Sequence, residues 1–388
     1  MRYVPLPPRT ARGAALTVAL TLLAACDRTQ PTELTPPAQA SAAKNAKNGG
    51  GVTALATPTL VVGGLTNPRG LTFGPDGAIY VAEAGTGGTT STVGQCLQVP
   101  EPGGPLLSGN TGRISRIDDG VRTTVVDGLP SSVDQRGGVL GVMDVAFVGP
   151  KLYALLDAGC GHGVPNVPAS VIRVENGGYS VAANLTAFVQ ANPVANPQPE
   201  DFEPDGDWYS MVARGGMLYA VDANGGQVVT VQPNSGRVDR IVDISATQGH
   251  IVPTAIAEGN GRFFLGNLTT FPSVPGSAKI LELKRNGSFS EYATGFTPIL
   301  GVETDQHDNL YVLETFGCLP QLPCVPAPFS EGTGQVVRLG RDGSRTVIAT
   351  GLTFPTSLRF GPDGALYVSN KGYNLPPGSG EVLRIAVD

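Results

Sequence analysis

The string Leu71-Thr72-Phe73-Gly74-Pro75-Asp76-Gly77-Ala78-Ile79-Tyr80-Val81 returns almost unchanged near the other end of the chain as Leu358-Arg359-Phe360-Gly361-Pro362-Asp363-Gly364-Ala365-Leu366-Tyr367-Val368. Each copy reads as a short apolar strand, a tight turn and a second strand, a β-hairpin that cannot bury its own apolar face. Such units must stack, so the chain is expected to be an all-β repeat protein. The 53 Gly and 33 Pro, with only 15% charged residues, suit a turn-dense β fold better than a helical one.

Aligned on the aromatic step, six copies emerge: Ile79-Tyr80, Leu152-Tyr153, Leu218-Tyr219, Phe263-Phe264, Leu310-Tyr311 and Leu366-Tyr367, spaced by 73, 66, 45, 47 and 56 residues. Spacings of 45 and 47 match a four-stranded propeller blade, and the longer gaps are insertions on the same plan. For the first blade the expected strands are residues 70–73, 79–83, 112–118 and 123–129. Gly351-Leu352-Thr353-Phe354-Pro355 leads into the last unit as Gly64-Leu65-Thr66-Asn67-Pro68 leads into the first. Residues 60–65 are therefore a fourth strand without a blade, and the last unit, ending over residues 380–386, lacks one. The expected architecture is a six-bladed β-propeller closed by an N-terminal strand that completes the last blade and removes exposed sheet edges.

Before the repeats, Arg2, Arg9 and Arg12 precede an apolar stretch over residues 13–25, too short to cross a bilayer and of the form of a secretion signal. Leu23-Ala24-Ala25-Cys26 is similar to the bacterial lipobox, in which the cysteine thiol takes a diacylglyceryl group; two or more acyl chains anchor stably, at ~0.8 kcal/mol per buried CH₂. Asp27 resembles the inner-membrane retention signal of some Gram-negative bacteria. Residues 26–57 hold almost no large apolar side chain and read as a disordered tether with a reach of about 30 Å. The expected plan is a signal peptide over residues 1–25, a tether from lipidated Cys26, and a propeller over residues 58–388. That places the protein in the bacterial cell envelope, periplasmic or on the outer face of the cytoplasmic membrane, held by its lipid anchor alone. Removal of the signal takes the formal charge from -6 to -9, which argues against nucleic acid as a partner.

In a propeller, the turns between first and second and between third and fourth strands share one face. Here they are all tight. The insertions, residues 84–111, 158–170, 268–277, 315–333 and 371–379, and the crossovers 130–142 and 189–208, fall on the opposite face. Loops on a rigid scaffold are where function concentrates, so the loop-rich face is the expected working surface. The four cysteines after Cys26 all lie there. An even set in an exported protein suggests disulfides, and the pairing expected is Cys318–Cys324 with Cys96–Cys160. Metal ligation is the lesser reading, since His162 is the only imidazole in the cysteine-bearing loops and His307 sits in a tight turn of the plain face.

Second strands end in a carboxylate or amide at Glu83, Asp222, Asn267, Glu314 and Asn370, with Asp157 one residue later in its unit. A ring of such oxygens suits a hard cation such as Ca²⁺, or a water poised for hydrolysis; the competing role is to brace neighbouring backbone N–H groups. At the start of the axis-lining strands, Arg69, Asp144 and Tyr209 face the channel mouth, with an Arg69–Asp144 salt bridge the simplest expectation. The crossover Glu200-Asp201-Phe202-Glu203-Pro204-Asp205-Gly206-Asp207 offers Asp201, Glu203, Asp205 and Asp207 as a second set of cation ligands, without EF-hand spacing. Gly-x-Ser-x-Gly is absent, and Gly85-Thr86-Gly87-Gly88 is followed by neither a helix pattern nor a lysine.

Residues 64–88 follow the pattern Gly-Leu-x-x-Pro-x-Gly-Leu-x-Phe-Gly-Pro-Asp-Gly-x-Ile-Tyr-Val-Ala-Glu-Ala-Gly-x-Gly-Gly, and with Gly109-Asn110-Thr111-Gly112, residues 142–147 and the acidic crossover they resemble the ScyD/ScyE family of exported propellers over roughly residues 58–388. The resemblance implies a six-bladed NHL-like propeller and brings no catalytic residues. This chain departs from it at Met143-Asp144, where relatives tend to have His-Asp, and at Trp208-Tyr209-Ser210, where they tend to have Pro-Tyr-Gly. More distantly, the hairpin is similar to gluconolactonase-like and strictosidine-synthase-like propellers, which hold a divalent cation or substrate at the axis. The leading expectation is a non-enzymatic binding or scaffolding lipoprotein that meets a protein, glycan or small molecule through its loop-rich face. The alternative is a metal-dependent, lactonase-like hydrolase using Glu83, Asp144, Asp222 and Glu314; a quinone-dependent oxidoreductase is a third.

Overall fold

The computed structural model describes residues 55–175, 177–317 and 330–387. The expected signal peptide, Cys26 and Cys318–Cys324 lie outside these residues, as does most of the expected tether. Among the described residues, strands form six antiparallel sheets, five of four strands and one of five. The innermost strands are Pro68–Phe73, Val142–Val148, Trp208–Arg214, Pro253–Gly259, Ile299–Thr304 and Ser357–Phe360. Thr59–Leu65 pairs with Gly380–Ile385 at the outer edge of the last blade, in register from Thr59↔Arg384 to Leu65↔Gly380. The ring closes as expected.

The repeated phrase carries the blade-to-blade seams. Tyr80 packs edge-on against Phe147 of the next blade, Tyr311 against Phe360, and Tyr367 across the closure against Phe73, with ring centroids 5.0–5.1 Å apart. The turn aspartate locks each tyrosine: Asp76 accepts from the Ala78 N–H, the Tyr80 hydroxyl and Arg116, as Asp363 does from Ala365, Tyr367 and Arg384. Gly77 and Gly364 take φ values of 80° and 76°, where a Cβ would be strained. Buried apolar side chains gather at every seam. The closure seam holds Leu65, Leu71, Ile79, Val81, Ile117 and Val382.

Blade 1 departs from the expected strand plan. Its third and fourth strands run over Leu107–Asp118 and Val121–Val133, and Val139–Leu140 adds a fifth strand. Part of the insertion read as loop is therefore a hairpin that continues past a bulge at residues 109–112 and rises above the ring on the loop-rich face. The Cys96–Cys160 disulfide, with Cα atoms 6.2 Å apart, ties this insertion to the neighbouring blade.

Candidate functional site at the axial mouth

Along the axis the six inner strands pack too closely for a through channel: the space lined by Gly70, Met143, Asp144, Tyr209 and Arg359 amounts to about 10 Å³. Gly70 is there for want of room, since a Cβ would stand 1.8 Å from Asp144 Oδ1 and 2.7 Å from the Asp144 Cα. Gly70→Ala is expected to lower the free energy of unfolding by about 1–3 kcal/mol, read from urea transitions. An unchanged midpoint would mean that the two inner strands separate freely.

The expected Arg69–Asp144 salt bridge does not form. Asp144 accepts from the Met211 and Val145 N–H groups at 2.7 and 2.8 Å, and its cation is Arg359, 3.8 Å away on the last inner strand. Arg359 also meets Glu303 at 3.5 Å, so it plugs the axis toward the plain face. Burial raises the Asp144 pKa to about 6 against the pull of Arg359 and the two N–H groups.

Nor do the strand-end carboxylates and amides meet at one axial point. Four of them receive the backbone N–H that leads into their own blade: Glu83 from Thr66, Asp222 from Asp207, Glu314 from Thr297 and Asn370 from Thr353. Asn267 does the equivalent with the Ile251 carbonyl and the Lys279 N–H. Each also reaches its third strand, for instance Glu83 to Ser115, Asp222 to Gln227 and Glu314 to Gln335. Their oxygens brace the crossovers. The acidic crossover is likewise divided: Asp201 meets His250 at 2.9 Å, Glu203 meets His162 at 2.6 Å, and Asp205 accepts from the Gly161 N–H and the Thr186 hydroxyl. Among the described residues, no three His, Cys, Asp or Glu side chains are grouped to hold a metal ion.

Asp157, the member of the ring displaced by one residue, escapes the bracing role. It is fully buried, its oxygens have no hydrogen-bond partner among the described residues, and Oδ1 lies 3.3 Å from His162 Nδ1. His162 therefore sits between Asp157 and Glu203. Burial opposes its charge, but the two carboxylates outweigh burial and hold the imidazole pKa well above the usual histidine value. In the sequence, His162 stood out only as the sole imidazole of the cysteine-bearing loops; its partners lie 5 and 41 residues away.

Above the closed axis, on the loop-rich face, lies a cavity of about 350 Å³. Its wall is assembled from the blade-1 insertion at Val99 and Leu106, both long crossovers, and the later insertions at Leu268, Phe271 and Tyr373. Met143 and Leu300 lie among the apolar groups, and Arg69, Arg136, Glu203, Asp207 and Tyr209 are the main polar ones. Arg69 and Tyr209 from the starts of the inner strands, and Glu203 and Asp207 from the acidic crossover, are thus brought to one cavity. Burial first, then the charges of Asp157 and Glu203, push the Asp207 carboxyl well above the usual carboxylate range.

No family model and no curated protein matches the chain. Among solved structures it is similar to the calcium-binding protein regucalcin from Agrobacterium tumefaciens, at 13% identity over 86% of this chain and 94% of that one, with a TM-score of 0.53. A protein of unknown function from Bacteroides thetaiotaomicron gives 11% identity, 84% and 70% coverage, and a TM-score of 0.53. A gluconolactonase from Xanthomonas campestris gives 9%, 85% and 90%, and 0.48. At such identities the likeness is one of fold alone, and on that ground the chain is a six-bladed β-propeller.

Proposed function

We propose that this propeller is a binding module that takes a small molecule into the mouth cavity, held at a bacterial membrane surface by lipidated Cys26 and the tether that follows. The observation that carries the reading is the cavity itself: about 350 Å³, set on the axis of a rigid ring, largely apolar and supplied with a few convergent polar groups. Its walls come from the insertions that distinguish the loop-rich face from the plain one. Kinship with the ScyD/ScyE propellers rests on the hairpin phrase and the acidic crossover.

The test is to purify the full chain from envelope membranes and extract bound small molecules for mass spectrometry, beside Leu268→Trp, which fills the cavity from a partly buried wall position. One compound recovered near stoichiometry from the native chain and lost from the filled variant, at an unchanged unfolding midpoint, is expected. Equal recovery from both moves the binding surface elsewhere.

A second reading, hydrolysis, is favoured by one observation. Glu203, fixed by His162, and Asp207, with its raised pKa, line the same cavity, and two carboxyl groups in different environments can divide acid and base roles. Ester or lactone turnover that vanishes in Asp207→Asn while ligand binding persists would assign the cavity to catalysis.

A further inference from the structure

Both ends of the axis carry an arginine, and the two are treated differently. Arg359, near the plain face, has Asp144 and Glu303 within 3.8 Å. Arg69, at the floor of the mouth cavity, is only 6% exposed, yet among the described residues no carboxylate lies within 4.0 Å of its guanidinium. One nitrogen, Nη2, donates to the Val139 carbonyl at 2.6 Å, and the buried Nε–H has no partner among the described residues. The Tyr209 hydroxyl, lining the same cavity beside Arg69, is also buried and makes no well-formed hydrogen bond among the described residues. An arginine cannot shed its proton, so an unmatched guanidinium in a low-dielectric floor is a standing cost that an anion relieves.

The neighbouring acids are committed elsewhere. Asp134 accepts from the Arg136 and Gly138 N–H groups, and Glu203 is held by His162. Burial and adjacent carboxylates favour the neutral form of Asp207, which offers an O–H rather than a competing charge. Burial pushes the Tyr209 and Tyr373 phenols up, so both keep their protons, Tyr373 sharing its hydroxyl with Thr315 at 2.6 Å. The floor thus sets donors around the buried charge of Arg69, beneath walls of Leu106, Leu268, Phe271 and Leu300, with the exposed Arg136 as the cavity's second cation.

Resting on the binding reading above, we propose that the mouth cavity recognises a small organic acid, its carboxylate seated on Arg69 and Tyr209 and its apolar body against the loop-derived wall. A planar guanidinium edge with an unused N–H matches a carboxylate in geometry and charge, and charge-assisted hydrogen bonds are the strong ones. The volume admits a body the size of one or two aromatic rings.

The probes are benzoate, cinnamate and naphthoate, each beside its neutral amide, titrated into the full-length native chain and into Arg69→Met, Tyr209→Phe and Leu268→Trp. The acids are expected to bind about ten to a hundred times more tightly than the amides. Arg69→Met should erase that preference while leaving amide binding in place, and Leu268→Trp should weaken both classes. Because Arg69→Met removes an unmatched buried charge, its ligand-free unfolding midpoint should hold or rise, whereas a merely structural arginine would lower it. Amides binding as well as acids, with both lost in Leu268→Trp, would overturn the carboxylate assignment and keep the cavity as a binding site. Acid binding that survives Arg69→Met unchanged would also overturn it. Failure of every probe at millimolar concentration would count against the cavity reading itself, and this assignment with it.

Discussion

Changing His162 to glutamine is expected to cost about 3–5 kcal/mol of stability, a very large effect for a single side chain. His162 is fully buried between Asp157, also fully buried, and Glu203, 16% exposed at its side chain. Removing the imidazole leaves two carboxylates facing each other without a cation, and Asp157 has no hydrogen bond to fall back on among the described residues. Asp157→Asn combined with His162→Gln should recover part of the loss, because the orphaned charge goes with its partner. The single tryptophan, Trp208, buried and bonded to the Asp205 carbonyl beside this cluster, reports unfolding by fluorescence in urea. A loss below about 1 kcal/mol would mean that water or rearrangement solvates the orphaned carboxylates as well as a surface pair would be solvated.

The same cluster sets a pH dependence. Folding raises the imidazole pKa above the ordinary histidine value of about 6.5, so the stabilisation is complete below about pH 6.5 and is lost as pH climbs through the folded value. Asp144 acts with the same sign over a lower window, from 3.8 to about 6, because the folded carboxyl retains a proton that the unfolded chain has released. Asp76 and Asp363 oppose this below about pH 4; burial raises both carboxyls, but the hydrogen bonds from Arg116 or Arg384, the turn N–H and the tyrosine hydroxyl, with the arginine charge, together outweigh it and hold both carboxylates low. Urea midpoints should therefore fall between pH 5 and pH 9, with a shallower slope in His162→Gln. A midpoint that rises over that interval would reverse the assigned sign.

The ring was legible because its instructions are local. Gly-Pro-Asp-Gly makes the turn, the tyrosine three residues later meets the neighbouring blade, and the spacing of the aromatic steps counts the blades. The displaced fourth strand could be read from residues 64–68 alone, since they repeat residues 351–355. The site was legible only in part, because strand periodicity tells which side chains face a sheet surface but not what stands across the ring. Arg69 and Asp144 both lie at the start of inner strands, yet the Asp144 carboxylate is claimed by Arg359, some 215 residues later, through closure of the circle. Strand-end acids and amides read equally well as ligands or braces; what decides is the backbone N–H entering each blade, whose position depends on the path of the crossover. The disulfide between Cys96 and Cys160 was foreseeable from equivalent loops of adjacent blades, whereas Tyr373 reaches the cavity from an insertion whose sequence gives no direction.

Deleting residues 59–65 from the chain is expected to open the ring. The strand Thr59–Leu65 contributes the outer ladder of the last blade, and its final residue, Leu65, is fully buried in the seam with Leu71, Ile79 and Val382. Leu65→Ala alone should cost about 2–5 kcal/mol, through lost transfer energy and the cavity left behind. The deletion costs more, because the backbone groups of Gly380–Ile385 that faced the missing strand become a free sheet edge, ready to pair with another chain. The expected result is a protein that unfolds at lower urea and associates at micromolar concentration. Moving the same seven residues to follow Asp388 distinguishes the lost strand from a damaged N-terminus. The relocated strand can still pair antiparallel with Gly380–Ile385 after a short hairpin, so that variant should recover the monomer and most of its stability. If the deletion were as stable and as monomeric as the parent, the seam between the first and last blades would be sufficient without its fourth strand. If the relocated strand failed while a separate peptide of residues 59–65 restored the fold, the geometry of the new hairpin rather than the pairing would be at fault. Either comparison measures how much of the ring's stability resides in its closure and how much in the six seams that the repeated phrase builds.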